Sequence, residues 1–406
     1  MIPFDDAQKR FLALGTELAV GSERVSLDAA WGRVLAEDIR SDSDLPRFDY
    51  SAMDGYGVAL ATFSGAGPWT LPVLGESRTG ETPNDLLPGC ACRIFTGAEI
   101  PLGVDAVVMQ ERVVRAGDRA TFEAKPQSGA NIRRRGEDLA RGTIAVGRGT
   151  RLRPAHVGLA ATCDRAWVEV ARRPLVTFLS TGDELRAPGA PARPGSIPES
   201  NGIALRAMAE RAGSIARIAP LVGDDRSATE RAITTSLEGC DVLVTVGGVS
   251  VGEHDWVRPA LEATGVSLDF WKVAMKPGKP LVLGRRGRSV VIGLPGNPAS
   301  AMVTFALFGI PLLRALAGDR TPLTPRRPAR AAVSFQRAEE GRAEFVRATL
   351  SLGEGGETWV TPLPNQASGA SSSMAHADAL LCVPERTTHI AQGEACDVLL
   401  LEELCA

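Results

Sequence analysis

The stretch that decides the fold runs from Val242 to Ala301. It reads V-L-V-T-V-G-G-V-S-V-G-E-H-D-W from Val242 to Trp256, K-V-A-M-K-P-G-K-P from Lys272 to Pro280, and G-L-P-G-N-P-A-S-A from Gly293 to Ala301. Val242–Val246 is a short, β-branched apolar run, the pattern of a buried strand. Gly247 and Gly248 stop it and allow a ligand to approach the backbone closely. Asp255 opens a helix-like segment. Val290–Leu294 is another strand, broken by Gly293, Pro295 and Gly296. Asn297 suits a helix N-cap and Pro298 a first helical position. Strand, glycine turn and helix N-terminus together make an arrangement that binds anions through free N–H groups. Lys272, Lys276, Lys279, Glu253 and Asp255 place charges in or beside these turns.

Working outward, residues 174–318 alternate strand and helix. Val176–Ser180, Ile215–Leu221 and Val242–Val246 read as strands; Gly202–Ala212, Ser227–Leu237 and Trp256–Ala263 read as helices. The strands are continuous apolar runs, which fits an α/β sheet covered on both faces. Leu281–Gly284 and Ser289–Ile292 flank Arg285-Arg286-Gly287-Arg288, a hairpin signal. Before this unit, Phe4–Ala36 has helical spacing at Phe11, Leu12, Leu14 and Leu18, and Ser26–Ala30 reads as a capped helix. From Asp49 to Arg135 short apolar runs alternate with Gly, Pro and Asp, the texture of a small β domain. Arg151–Ala161 returns to strand and helix, with the helix starting at Pro154. A proline-rich linker, Thr321–Pro328, precedes further short strands. The expected division is residues 1–45 with 139–172 as an N-terminal α/β domain, 46–138 as an inserted β domain, 173–320 as a doubly wound α/β domain, and 321–406 as a C-terminal β domain.

Composition sets outer bounds. A chain of 406 residues accommodates two to four domains. Its 44% hydrophobic and 23% charged content is ordinary for a globular protein. A net charge of −3 gives no reason to expect nucleic-acid binding. The N-terminus, M-I-P-F-D-D-A-Q-K-R, has acids where a signal peptide needs bases, so the expected compartment is the cytoplasm. No apolar run approaches the ~18 residues that cross a bilayer; Phe305–Leu316 reads as a buried helix. Seven scattered cysteines without zinc-ligand spacing are expected as reduced thiols with no role in the chemistry.

The chemistry-bearing residues cluster at strand ends. Ser180-Thr181-Gly182-Asp183-Glu184 ends the first strand of the α/β domain, Asp224-Asp225 follows the second, and Asp255 follows the third. Ligands of open α/β sheets sit at the carboxyl ends of strands. Carboxylates there suit a hard divalent cation such as Mg²⁺, although Asp225 and Asp255 equally suit helix caps. Lys272, Lys276 and Lys279 bracket Pro277 and Gly278, so they are point charges on a stiff loop, suited to a phosphate or another oxyanion. Acids and lysines at one rim suggest a metal-bridged phosphoanhydride. Taken singly, D-Y-S-A-M-D-G-Y-G (Asp49–Gly57), I-F-T-G-A (Ile94–Ala98) and R-R-R-G-E-D (Arg133–Asp138) read as turns or solvated faces.

Taken together, S-A-M-D-G-Y-G, T-G-A-E-I-P, N-I-R-R-R-G-E-D-L, S-T-G-D-E-L, S-N-G, G-G-V-S-V-G-E-H-D, K-P-G-K-P and G-L-P-G-N-P fall in an order that resembles the molybdopterin molybdenumtransferase family, which includes the E-domain of gephyrin. The resemblance covers the chain from about residue 5 to 400. It implies an elongated, four-part subunit in a homodimer. It implies insertion of molybdate into adenylylated molybdopterin with release of AMP, with Mg²⁺ as cofactor, and a transient contact with the molybdopterin adenylyltransferase. It places the active site between the α/β domain of one subunit and the inserted β domain of the other.

By the same resemblance, Asp54, Thr96 and Asp138 come from the inserted domain. Glu184, Asp224, Asp255, Lys272, Lys276 and Lys279 come from the α/β domain, with Glu184, Asp224 and Asp255 on Mg²⁺ and water. Ser250 and Pro280 lie near the oxyanion, and Gly247, Gly248 and Asn297 join the substrate-binding turns. Arg342 or Arg347, with one serine of Ser371–Ser373, completes a molybdate site. Gly57 stands where alanine is common, and His254-Asp255-Trp256 where Ala-Asp-Tyr is common. Three rivals differ in class or cargo. A tungstate-inserting relative is chemically close. A simple pterin-binding or adenylylating module would lack the two β domains, and a scaffold would be expected to carry a long linker or fused domain.

Overall fold

The computed structural model describes residues 1–248, 256–338 and 340–404. At its centre lies a six-stranded sheet with the order Ile215–Ile218, Leu175–Ser180, Val242–Val246, Ser289–Leu294, Pro280–Arg286, Ser267–Lys272. The first four strands are parallel, and the last two run antiparallel to their neighbours. Successive side chains of a strand point to opposite faces, and both faces here are covered. Val176, Phe178, Val242, Val244 and Ile292 join one core. Leu179, Leu243 and Val291 join another, beneath the helices Arg226–Leu237 and Val257–Ala263. That double burial is why these strands read as continuous apolar runs. The hairpin forms as expected: Arg286 pairs with Ser289 across Gly287, whose φ is +58°.

From Leu175–Ser180 the chain crosses to Ile215–Ile218 on one side, then returns to Val242–Val246 on the other. The strand order reverses there, so a crevice opens at the carboxyl ends of the two central strands.

A second six-stranded sheet follows the order Ala106–Met109, Gly55–Val58, Ala91–Ile94, Trp69–Ser77, Arg119–Phe122, Val113–Ala116. The chain enters and leaves it side by side. Tyr50–Ser51 pairs with Ile132–Arg133, Leu45 bridges Leu139, and Ile39–Arg40 pairs with Ile144–Val146. The C-terminal segment closes on itself as a five-stranded barrel: Ala343–Leu352, Thr358–Pro362, Arg327–Ala331, Ala395–Leu400 and Ala379–Val383, the last pairing back to the first. The fold class is therefore multidomain α/β with an inserted β unit and a C-terminal β unit.

Three local expectations change. Ser26–Ala30 is not a capped helix: Ser22–Ser26 is a strand paired with Trp167–Ala171, and only a 3-10 turn, Leu27–Ala29, follows. The strand wins because Val25 packs with Val168 and Val170 in a local core. The helix Phe4–Glu17, grouped by sequence with residues 1–45, packs into the core of the central sheet, where Phe4 lies against Phe308 and Phe345. Finally, Pro298–Leu316 is one 19-residue helical run, apolar enough by length and composition to cross a membrane, yet 94% buried within the protein. The chain uses it as the central core helix, widened to a π turn at Phe305–Gly309.

Candidate active site

The ends of Leu175–Ser180, Val242–Val246 and Ser289–Leu294 meet at a cleft of about 330 Å³. Thr181, Glu184, Glu199, Asn201, Gly247 and Asn297 help to line it. Gly247 and Gly248 have φ of +86° and +62°. A Cβ on Gly247 would lie 2.9 Å from the Thr181 carbonyl oxygen, and one on Gly248 only 2.2 Å from Cγ2 of Val257. The turn can therefore run this close to its neighbours only as glycine.

The anion-binding expectation for the Asn297 turn is corrected. Asn297 does occupy the N-cap position, but its side chain makes no capping bond. The N–H groups of Ala299 and Ser300 instead donate to the Ser368 carbonyl oxygen at 3.0 and 3.4 Å, and Asn297 Nδ2 donates to Ser368 Oγ at 3.0 Å. A loop from the C-terminal unit thus takes the donors that an anion would need.

The acids at the strand ends take different places. Asp183 and Asp224 clasp each other. The Asp224 N–H donates to Asp183 Oδ1 at 3.0 Å, and the Asp183 N–H donates more weakly to Asp224 Oδ2 at 3.4 Å. Asp225 caps the helix Arg226–Leu237 through Ala228 N at 2.6 Å, so its role is structural. Glu184 is exposed on the cleft. Ser250 and Asp255 lie outside the described residues, as does Glu253. Among the described residues no group of three His, Cys, Asp or Glu side chains gathers as a metal centre. Glu184 and Asp224 each carry the hard oxygen donors that Mg²⁺ would take.

The lysine loop is tied to the barrel. Met275–Lys276 adds as a parallel neighbour to Ala343 and Glu344. Lys276 Nζ lies 2.8 Å from Oε1 of Glu344, which is 8% exposed, and Arg337 Nη1 lies 3.7 Å from its other oxygen. These three residues, with Ala338 and Arg342, line a cavity of about 180 Å³. Gly278 has φ of +98°, and a Cβ there would lie 2.1 Å from Thr304 Oγ1, which seats the loop on the core helix. Lys279 is exposed. Lys272 is exposed at the end of its strand, opposite Pro280.

Arg342 and Arg347 sit in different surroundings. Arg347 is fully buried and donates to the carbonyl oxygens of Asn365 and Ala367; burial pushes its guanidinium pKa down. It braces the loop that carries Ser368. Arg342 lines the cationic cavity. Of the serines, Ser373 is buried and bonds the Ala370 carbonyl, while Ser371 and Ser372 are exposed.

In the inserted sheet Asp54 and Thr96 meet. Asp54 Oδ1 accepts from Thr96 N at 2.7 Å and from Thr96 Oγ1 at 2.8 Å. These two bonds, the backbone one first, hold the Asp54 carboxyl below its ordinary pKa. Asp138 is exposed nearby in sequence to a self-paired run: Arg133 with Glu137, Arg134 with Asp49, Arg135 with Asp44. Among the described residues, no hydrogen bond or ion pair joins Asp54, Thr96 or Asp138 to the cleft. Sequence reasoning passed over Glu199, which lies in the cleft wall and is 5% exposed. The available signal was an acid immediately before Ser200-Asn201, where a helix begins.

A cleft at the switch point of a doubly wound sheet, with glycine turns at its rim, defines an α/β enzyme with a site for a polar ligand. Comparison makes this specific. Residues 2–163 match the family described as MoeA N-terminal region (domain I and II), residues 177–315 the Probable molybdopterin binding domain, and residues 328–401 the MoeA C-terminal region (domain IV). The molybdopterin molybdenumtransferase of Haemophilus influenzae is 35% identical over 97% of this chain and 97% of its own length. Molybdopterin molybdenumtransferase 2 of Mycobacterium tuberculosis is 37% identical over 91% of this chain and 92% of its own. The solved molybdopterin biosynthesis moeA protein of Pyrococcus horikoshii OT3 is 29% identical, with a TM-score of 0.84 over 98% of this chain and all of that one. The chain belongs to the molybdopterin molybdenumtransferase family. It is a transferase of molybdenum cofactor biosynthesis.

Proposed function

We propose that the chain inserts molybdenum from molybdate into adenylylated molybdopterin and releases AMP. The observation that carries this reading is the cationic cavity formed where Lys276 meets Arg342 and the barrel. A tetrahedral dianion is held there by charge, as lysine and arginine hold oxyanions. The pterin's two sulfurs bind it as thiolates, the form a metal centre takes, and their two protons carry one molybdate oxygen away as water as the Mo–S bonds form. Glu184 and Asp224, with Asp255, would hold Mg²⁺, which supplies charge neutralisation on the phosphoanhydride oxygens. An acid of this rim orients the water that attacks phosphorus and takes its proton, and AMP leaves as the anhydride bond breaks. Gly247 and Gly248 let the ligand approach the strand ends. Lys272, Lys279 and Pro280 border the oxyanion path, with Ser250 beside it.

Asp54, Thr96 and Asp138 act in this reading from a second copy of the chain in a homodimer, which fits the lack of any hydrogen bond or ion pair from them to the cleft among the described residues. The molybdopterin adenylyltransferase is the transient partner that would deliver the substrate, in the cytoplasm. The test is reconstitution: purified protein, adenylylated molybdopterin, Mg²⁺ and molybdate are mixed, and AMP and active cofactor are measured. AMP release that ignores molybdate, or no active cofactor, would overturn the reading.

A further inference from the structure

The cleft at the strand ends presents acceptors; the amide donors of its two asparagines are spent, and the buried Thr181 hydroxyl is left without a partner. Asn201 Nδ2 donates to the Gly296 carbonyl at 2.8 Å, and Asn297 Nδ2 donates to Ser368 Oγ at 3.0 Å. Each asparagine is therefore fixed with its Oδ1 left over, and that of Asn201 is buried with no partner. Glu199 is 5% exposed and pairs with no cation among the described residues. Its Oε1 accepts from Ser180 Oγ at 3.1 Å and from Gly202 N at 2.7 Å. Its Oε2 accepts nothing among the described residues.

No lysine, arginine or histidine is among the described lining residues. A buried carboxylate beside the orphaned Asn201 oxygen is costly unless a ligand brings donors. A phosphate brings only acceptors. A bare divalent cation would leave most of the 330 Å³ unfilled, and the wall formed by Leu185, Ile197 and Pro198 is apolar, suited to the face of a flat ring.

We propose that Glu199, with the Oδ1 atoms of Asn201 and Asn297, reads the amino-keto edge of the pterin: its ring N–H and adjacent 2-amino group. This rests on the pterin reading above and deepens it. The adenylyl phosphate then lies outside this part of the cleft, toward the cationic loop. An adenine ring, whose equivalent edge offers an acceptor between its amino group and C2, does not match three acceptors.

The experiment uses the full chain and measures binding by fluorescence and calorimetry. The probes are pterin, its 2-oxo analogue lumazine, guanosine, AMP, and Mg²⁺ alone. Wild type should bind pterin roughly ten- to a hundredfold more tightly than lumazine, the factor expected for a charge-assisted hydrogen bond lost to a carbonyl facing a carboxylate. Guanosine, which shares the edge, should displace pterin, and AMP should not. Glu199→Gln should erase the pterin preference. Should that variant fail to fold, the wild-type ratio still decides. Equal affinity for pterin and lumazine, or displacement by AMP or Mg²⁺ alone, overturns this inference and leaves the functional reading standing. Binding of neither pteridine overturns both.

Discussion

Lys276 and Glu344 form an ion pair of 2.8 Å between the lysine loop and the C-terminal barrel. The pair is one-sided: the lysine is half exposed, and the carboxylate is buried between it and Arg337. The loop's charge is thus aimed by a residue 68 positions away.

Lys276→Ala and Lys279→Ala should separate charge from anchoring. Both should raise the molybdate concentration needed for insertion roughly tenfold or more, the worth of one charge-assisted contact. Only Lys276→Ala should also lower the melting temperature, by about 1–3 °C, since a half-exposed pair contributes little. Titrations with molybdate beside calorimetric melts would check this. A lowered melt in Lys279→Ala would contradict it.

Arg342→Ala and Arg347→Ala should differ in the opposite sense. Arg347→Ala empties a fully buried site and strips two backbone carbonyls of their donor, so it should cost about 3 kcal/mol or more. Arg342→Ala should leave denaturant midpoints within error and weaken molybdate use. Equal stabilities would remove the basis for choosing Arg342.

Asp54 has a pKa held down by Thr96, first through the backbone N–H and then through the hydroxyl. A depressed carboxylate pKa gives a contribution present above the unfolded value and lost as pH falls through the folded value. Thr96→Val keeps the N–H and removes the hydroxyl, so the Asp54 titration should move up toward the ordinary 3.8 without reaching it. Carboxyl NMR titration reads this directly; coincident curves for variant and wild type would refute it.

Asp54→Ala and Glu184→Gln should each be inactive as pure proteins. After subunit exchange, the mixture should regain part of the activity, because a mixed dimer holds one site with both residues intact. Proven exchange without recovery would show that the site is not shared between copies.

Removal of divalent cations with a chelator should abolish AMP release, and Mg²⁺ should restore it. Asp224→Asn should need about tenfold more Mg²⁺ than wild type, for the loss of one charged oxygen donor. An unchanged Mg²⁺ requirement would take Asp224 out of the metal set.

The free thiols should stay silent in all of these assays. Burial pushes Cys92 and Cys240 up to about 11 and Cys382 up to about 12.

The α/β core was legible because both faces of its strands are buried, which writes them as unbroken apolar runs. Glu184, Asp224 and Gly247 followed from the rule that ligands meet strand ends. What stayed hidden depends on partners distant in sequence. Ser368 takes the N–H groups of Ala299 and Ser300, and no local pattern near Asn297 foretells a competitor 71 residues on. Glu199 reads as a polar loop residue until Ser180 and Gly202 close on it. The Ser26–Ala30 helix failed because pairing with Trp167–Ala171 overrode a local cap signal.

The helix Phe4–Glu17 has a consequence for synthesis. Ile2 bridges Val273, and Phe4 packs on Phe308 and Phe345. A nascent chain must therefore carry this amphipathic helix unpartnered until the core helix and the barrel have left the ribosome. Contacts of such sequence separation slow folding and leave hydrophobic surface open to aggregation meanwhile. This helix is thus among the last parts of the fold able to settle.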